Sequence, residues 1–511
     1  MAHDVEFELA DSHSEQQLIS ELADHFPLAA DGTARETLAF FDTFDWRLYQ
    51  AELLLYQTGN EFLLCALSDN HIIHRQAIAV QPRFVWDLPE GALKSRLEPI
   101  VEMRALLKLT EVDMSSTSLR ILNDDRKTFV RILFEALESK DQADLPVSEK
   151  YIRLKPVRGY DKQADRVIRH FEAVGLVRGQ NGHFQRVLAT SGRTPGDYST
   201  KLDLQFDPQM RADEATRIIL RHQLQVMRWN EEGIKQDFDT EFLHDFRVAV
   251  RRTRAALSQI KGVFPEQPTH RFKADFAYIG QLTNDLRDLD VYLLAEDAYK
   301  AMLPAYLSDD ISPLFDYLKQ KRATALQQVI SGLNSEAYAK ILHSWEDFLT
   351  EPIPASSSAP NAVLPIIEVA RRRIYNKYRR VVKWGNQILE DTEDKQLHAL
   401  RIECKKLRYL LEFFANLFPP KDIAASVKQL KRLQTNLGDF NDLCVQEDYL
   451  LHIAGEIPIT SSDAREVFLA TGCLIGTLHQ ERTRVKAKFS TTFARFAAPD
   501  NKKRFKKLFA G

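Results

Sequence analysis

Two sets of cationic side chains stand at matched spacing in this chain. His244, Arg247, Arg251 and Arg254 recur, 154 positions later, as His398, Arg401, Lys405 and Arg408, with Arg252 repeated as Lys406. These residue types hold no nucleophile and no carboxylate pair. What they can do is grip phosphate oxygens: Arg through two parallel N–H donors, Lys as a point charge, His when protonated. At about 100° per residue on a helix, His244, Arg247, Arg251 and Arg254 fall in a sector roughly 80° wide. Phe246, Val250, Leu257 and Ile260 take the opposite side. Each copy therefore predicts a helix with one face in a core and one cationic face about 15 Å long. A cationic face used twice suits a polyanion.

The elements that must position these faces repeat as well. Phe264-Pro265 returns as Phe418-Pro419, and Arg287-Asp288-Leu289-Asp290-Val291 returns as Asn441-Asp442-Leu443-Cys444-Val445. Arg217 corresponds to Arg371 on a preceding helix. An offset shared by successive helices predicts two helical bundles of roughly 150 residues, over 205–350 and 361–511, related by a pseudo-twofold axis. The Pro/Ser-rich stretch 351–360 divides them. Arg221 and Arg379, on the helices before each stripe, extend the basic surface, as do Arg228, Arg372, Arg373, Lys377, Arg380 and Lys383. Asp288, Asp290 and Asp442 read as residues that orient arginines or cap helices. Lys502 to Lys507 reads as a frayed basic tail.

At 511 residues the chain exceeds one core, and two or three domains are expected. Its 44% hydrophobic and 28% charged content describes an ordinary globular protein. The net charge of −3 hides an asymmetry. Residues 1–200 hold 23 Lys and Arg against 31 Asp and Glu, whereas the remainder holds 46 against 41. A polyanion is drawn to the second part. No apolar run is long enough to span a bilayer, and the first residues show no secretory signal, so a cytoplasmic location is expected. Cys65, Cys404, Cys444 and Cys473 lack metal-ligand spacing and read as reduced structural thiols.

The first 200 residues read as β-rich, making the chain α+β. Val5 to Leu9 alternates with period two and sets Glu6 and Glu8 on one face. A helix is expected over 14–26 and another over 161–177, with strands at 38–43, 52–57 and 61–65. Gly179 to Gly182 leads into a short strand, and Thr190 to Asp197 has the composition of an interdomain linker.

These residues resemble two families. Phe40-Phe41-Asp42-Thr43, the segments 119–122, 124–127 and 129–131, and the opening Glu6-Phe7-Glu8-Leu9-Ala10 are similar to the CYTH family over roughly residues 4–200. That resemblance implies an antiparallel β-barrel, or tunnel, whose Lys and Arg residues hold a triphosphate and whose carboxylates bind divalent metal. The chain departs from the pattern at Ala10, where the family's Glu-x-Glu-x-Lys signature ends in lysine, and in 55–58 and 62–67, which carry no basic residue. The expectation is a degenerate barrel without catalytic residues; if it were active, Glu6 and Glu8 would be the catalytic pair and Mg²⁺ or Mn²⁺ the cofactor. The two His-x-x-Arg stripes and the Asp/Asn segments that follow them resemble the CHAD domain, the conserved-histidine α-helical domain, over roughly 205–511. That resemblance implies a basic central channel that binds inorganic polyphosphate, and association with polyphosphate granules.

The expected function is thus polyphosphate binding through the two stripes, with no cofactor. One alternative is triphosphate or polyphosphate hydrolysis in the CYTH-like tunnel. A second is nucleic-acid binding, disfavoured because no aromatic stacking platform is read between the basic residues. Oligomeric state stays open.

Overall fold

The computed structural model describes residues 5–9, 13–68, 71–139, 148–179, 193–388, 393–456 and 464–510. The chain divides into two compact units, Met1–Ser199 and Thr200–Gly511.

The first unit is built on an antiparallel sheet of nine strands: β1 (Val5–Glu8), β2 (Leu28–Asp42), β3 (Leu53–Thr58), β4 (Glu61–Ala66), β5 (Ile72–Ala77), β6 (Leu107–Leu122), β7 (Thr128–Ser139), β8 (Ser148–Pro156) and β9 (Val177–Arg178). Helices α1 (Glu15–His25), α2 (Arg47–Gln50), α3 (Ala92–Val101) and α4 (Asp161–Ala173) join them. Ser14 starts α1 with a reciprocal capping box to Gln17. The strand order is β5-β4-β3-β2-β6-β7-β8-β1-β9. Among the described residues the sheet is open, with edges at β5 and β9, so the expected closed barrel is not what these strands form. Ala10 and Gly182 lie outside the described residues.

Alternation decides which face each strand residue serves. Phe7, Ile132, Ile152 and Leu154 pack under α1 and α4 with Leu18, Leu22, Val167 and Phe171. On β2, Phe41 joins Leu55, Phe62, Leu64 and the α3 residues Leu93 and Leu97. Its neighbour Phe40 points the other way, into a cluster with Leu38, Leu54, Leu63, Cys65, Val112, Leu137 and Tyr151.

The stretch expected as a linker is pinned to this unit where it is described. Arg193 pairs with Asp197 at 2.7 Å and lies over the Phe44 and Trp46 rings, while the Trp46 indole N–H donates to Asp197 at 2.8 Å. Residues 190–192 lie outside the described residues.

The second unit is helical: α5 (Ala212–Lys235), α6 (Thr240–Gln259), α7 (Glu266–Leu282), α8 (Asn284–Leu294), α9 (Glu296–Met302), α10 (Ser312–Leu333), α11 (Glu336–Thr350), α12 (Ile366–Gly385), α13 (Asp394–Phe413), α14 (Pro420–Ala454), α15 (Ala464–Ala487), α16 (Phe489–Phe496) and α17 (Pro499–Phe509). The 154-residue offset is visible in their limits. It carries both ends of α6 onto both ends of α13, the starts of α5 and α7 onto those of α12 and α14, and the end of α10 onto that of α15. The halves differ in two places. The equivalents of α7 and α8, separate helices meeting at Thr283, run through as the single 35-residue α14. Conversely α11 is continuous, whereas its equivalent is broken into α16 and α17 before Pro499.

The C-terminal basic run is no frayed tail. It is α17, whose Phe505, Leu508 and Phe509 are buried at helical spacing, with Phe505 stacked on Tyr378 at 4.0 Å. The lysines occupy the other side of the same helix. No helix among the described residues is long and apolar enough to cross a membrane.

Candidate anion-binding site

Phe242, Phe246, Ala249, Val250 and Leu257 bury one side of α6, and Leu397, Leu400, Cys404, Leu407 and Leu411 bury the same side of α13. Burial of these apolar residues fixes the rotation of each helix and leaves the cationic stripe on the side away from its own core. The two helices pack against each other. The Lys405 ammonium lies within electrostatic range of Arg251 from the other repeat. Burial, together with Arg401, Arg251 and Arg408, pushes Lys405 down to about 8, opposed by Asp442. Cations of the two repeats are therefore brought together.

Arg247 is aimed by neutral groups. Its guanidinium donates to the Gly280 carbonyl at 3.2 Å, Thr283 Oγ1 at 2.8 Å and Asn284 Oδ1 at 2.9 Å, all at the α7–α8 junction. Burial is the largest cause pushing Arg247 down to about 10; Asp288 opposes it, and Arg251 and Arg287 add to it. Its equivalent, Arg401, instead pairs with Asp442 at 2.9 Å, and the Arg401 Nε is buried without an acceptor among the described residues. Arg251 and Arg254 are exposed, and neither they nor Lys405 pairs with a carboxylate among the described residues. The Arg254 guanidinium lies against α7 beside Gly280.

Each histidine is held through Nδ1 by the residue 43 positions further on. His244 Nδ1 lies 2.9 Å from Arg287 Nη2, and His398 Nδ1 meets Asn441 Oδ1. In the sequence Arg287 and Asn441 stand out only as part of the repeat; their equivalence under the offset is the signal that each supports a histidine.

Other residues expected in the site are engaged elsewhere. Arg252 donates to the Thr200 carbonyl at 2.7 Å and pairs with Glu412 at 3.4 Å, a carboxylate shared with Arg408 at 2.6 Å. Lys406 pairs with the buried Glu403 at 2.9 Å, as Lys377 does at 2.7 Å. Arg217 and Arg221 close the C-terminal end of α11. Arg217 donates to the Glu351 carbonyl at 2.6 Å and Arg221 Nε to the Leu349 carbonyl at 3.0 Å. A helix C-terminus has unpaired carbonyls and partial negative charge, which these guanidiniums satisfy. Arg371 and Arg379 are exposed on α12. Of the acidic residues, Asp442 orients Arg401, whereas Asp290 pairs with Arg322 at 2.7 Å, away from the stripe.

In the sheet unit, Glu6 and Glu8 sit opposite Arg153 and Tyr151 of β8. Arg153 pairs with Glu135 at 3.1 Å. The face they share continues into the apolar cluster of Leu38, Phe40, Leu54, Leu63, Val112 and Leu137. Among the described residues no three His, Cys, Asp or Glu side chains come together as a metal-holding group. Apolar side chains thus adjoin Glu6, Glu8 and Arg153 on this face among the described residues.

Residues 218–451 match the CHAD domain family. The match spans both stripes, from within α5 to within α14. Two uncharacterized proteins of Mycobacterium tuberculosis strains are 24% identical over 300 residues, which is 58% of this chain and 54% of each of theirs. The chain thus spans about half the length of the curated relatives it matches. Among solved structures, the CHAD domain from the plant Ricinus communis is 25% identical with a TM-score of 0.49, covering 57% of this chain and 94% of that one. PptA from Streptomyces chartreusis is 14% identical with a TM-score of 0.44, covering 56% and 99%. The putative adenylyl cyclase HpAC1 from Hippeastrum, described as having a dominant triphosphatase activity, is 13% identical with a TM-score of 0.28, covering 38% and 99%.

Proposed function

We propose that this chain binds inorganic polyphosphate through the paired stripes of its CHAD domain, and that its sheet unit is a degenerate CYTH-like domain that turns over no phosphate ester or anhydride. The observation that carries this reading is the approach of Lys405 to Arg251, its counterpart in the other repeat. Bringing like charges together on facing helices is unfavourable unless a polyanion neutralises them. Arg247, Arg251, Arg254, Arg401, Lys405, His244 and His398 are the contacts; Arg252, Lys406, Arg217 and Arg221 support the helices that carry them. A phosphate chain has dense charge and no base or apolar surface, which suits a site built of Arg, Lys and His.

The test is competition on immobilised protein between long-chain polyphosphate, single-stranded RNA and ATP at matched phosphate concentration. Polyphosphate is expected to win, with an affinity that falls as salt rises through counterion release. Arg247→Ala combined with Arg401→Ala is expected to weaken binding more than either alone. Preference for RNA, or affinity indifferent to salt, would sink the reading. Release of orthophosphate with added Mg²⁺ or Mn²⁺, abolished by Glu6→Ala, would return the hydrolase alternative.

A further inference from the structure

An open cavity of about 640 Å³ lies along α12, with Lys502 of α17 at its side. Tyr375, Trp384, Arg379, Lys383 and Lys502 are among its lining residues, and no carboxylate is. Arg380, 3.3 Å from Glu403, also lies 4.4 Å from the centre of the Trp384 ring and so holds the indole. The basic residues are thus interleaved with aromatic ones after all. Tyr375 to Trp384 is one helix, so the spacing was legible.

The cavity breaks the internal symmetry. The counterparts of Tyr375, Arg379, Lys383 and Trp384 in the first half are Arg221, Gln225, Trp229 and Asn230, and the counterpart of Lys502 is Phe348. Phe348 is packed on Phe264 at 5.2 Å and Trp345 at 5.7 Å, and α11 runs through without a break. Where the first half carries a packed ring in sequence register, the second carries an exposed ammonium.

The cavity is also separate from the stripes. Arg380 reaches Glu403 of α13, which by helical geometry lies roughly 180° around that helix from His398, Arg401, Lys405 and Arg408. Aromatic faces offer stacking to a planar base, and surrounding cations offer charge to its phosphates. Its volume falls in the range of small-molecule sites, about 300–1,000 Å³. We propose that this cavity is a nucleotide site, taking a nucleoside triphosphate with its base on Trp384 or Tyr375 and its phosphates among Arg379, Lys383 and Lys502. It is independent of the polyphosphate reading.

The test uses the full chain carrying Arg247→Ala and Arg401→Ala, so that the stripes do not compete, and titrates it calorimetrically with ATP and with inorganic triphosphate. ATP is expected to bind about tenfold more tightly, because only ATP has a base to stack. Lys502→Glu, an exposed change on α17, is expected to weaken ATP about tenfold. Trp384→Ala is expected to abolish the preference for ATP over inorganic triphosphate, and Trp384→Phe to restore it. Absence of ATP binding at millimolar concentration, equal binding of the two anions, or indifference to Lys502→Glu overturns the proposal. So does a single-stranded oligonucleotide that binds here and that ATP cannot displace.

Discussion

Arg287 donates to Nδ1 of His244 across 2.9 Å. A guanidinium has donors only, so this nitrogen supplies its lone pair and the ring proton sits on Nε2. In the second half the equivalent of Arg287 is Asn441, whose Oδ1 can only accept and whose Nδ2 donates to Asp442 at 3.3 Å. His398 therefore carries its proton on Nδ1. Two histidines at matched positions are held in opposite hydrogen-bonding states. Nitrogen-15 NMR of the unliganded protein is expected to show an unprotonated Nδ1 at His244 and a protonated one at His398. Arg287→Asn is expected to move the first towards the second. Matching shifts for both histidines in the unmodified chain would contradict this assignment.

Lys405 gives the site a pH dependence. Burial and the neighbouring Arg401, Arg251 and Arg408 hold it at about 8, against 10.5 ordinarily. Between these values the unfolded chain keeps a proton that the folded one has lost, so the stability of the free protein rises with pH through this window. Binding runs the opposite way. As pH climbs through 8 the free protein loses a cation facing the ligand, and affinity for a polyanion is expected to drop several-fold between pH 7 and 9. Lys405→Arg keeps its charge throughout and is expected to flatten the curve, measured as Kd at constant ionic strength.

The repeat was legible because helical faces repeat in sequence: the offset read from His244 and His398 places both ends of α6 on both ends of α13. Much of the sheet was not. The first part of β2, from Ala30 to Thr37, has exposed residues on both faces and so lacks apolar alternation, yet its backbone pairs with β6 on both sides of a bulge at Asp31. Arg252 and Lys406 were grouped with the stripe by charge alone, although about 100° per residue places them roughly 120° from its centre. In α17 the density of lysine masked Phe505, Leu508 and Phe509, which dock the helix. There charge was the visible signal, and burial of the three apolar side chains decided the outcome.

Arg217 separates structural from binding cations. It is buried, donates to the Glu351 carbonyl and lies 5.2 Å from the centre of the Phe348 ring. Arg217→Ala removes the charged donor to the Glu351 carbonyl and is expected to cost about 1–3 kcal/mol, seen as a lower Tm. Its repeat partner Arg371 is exposed, and Arg371→Ala is expected to leave the stability within about 0.5 kcal/mol of unchanged. If Arg217→Ala weakened polyphosphate binding at a temperature where the variant is fully folded, the assignment of Arg217 to the scaffold would be wrong.

Glu403 shows how the second stripe is held from behind. Only 3% exposed, it pairs with Lys377 at 2.7 Å, Lys406 at 2.9 Å and Arg380 at 3.3 Å. Burial raises its affinity for a proton, but the hydrogen bonds and charges of Lys377 and Lys406 outweigh that and hold it below 4.5. A carboxyl lowered on folding contributes stability above its unfolded value, and that stability is lost as pH falls through the folded one. The unmodified chain is thus expected to lose stability below about pH 4.5 in part through Glu403, a loss absent from Glu403→Gln. At neutral pH the same substitution strands the Lys377 ammonium, which burial already pushes down. The expected cost is about 3–5 kcal/mol by denaturant unfolding. A second change, Lys377→Met, should recover much of that cost, because it removes the stranded charge instead of restoring the pair.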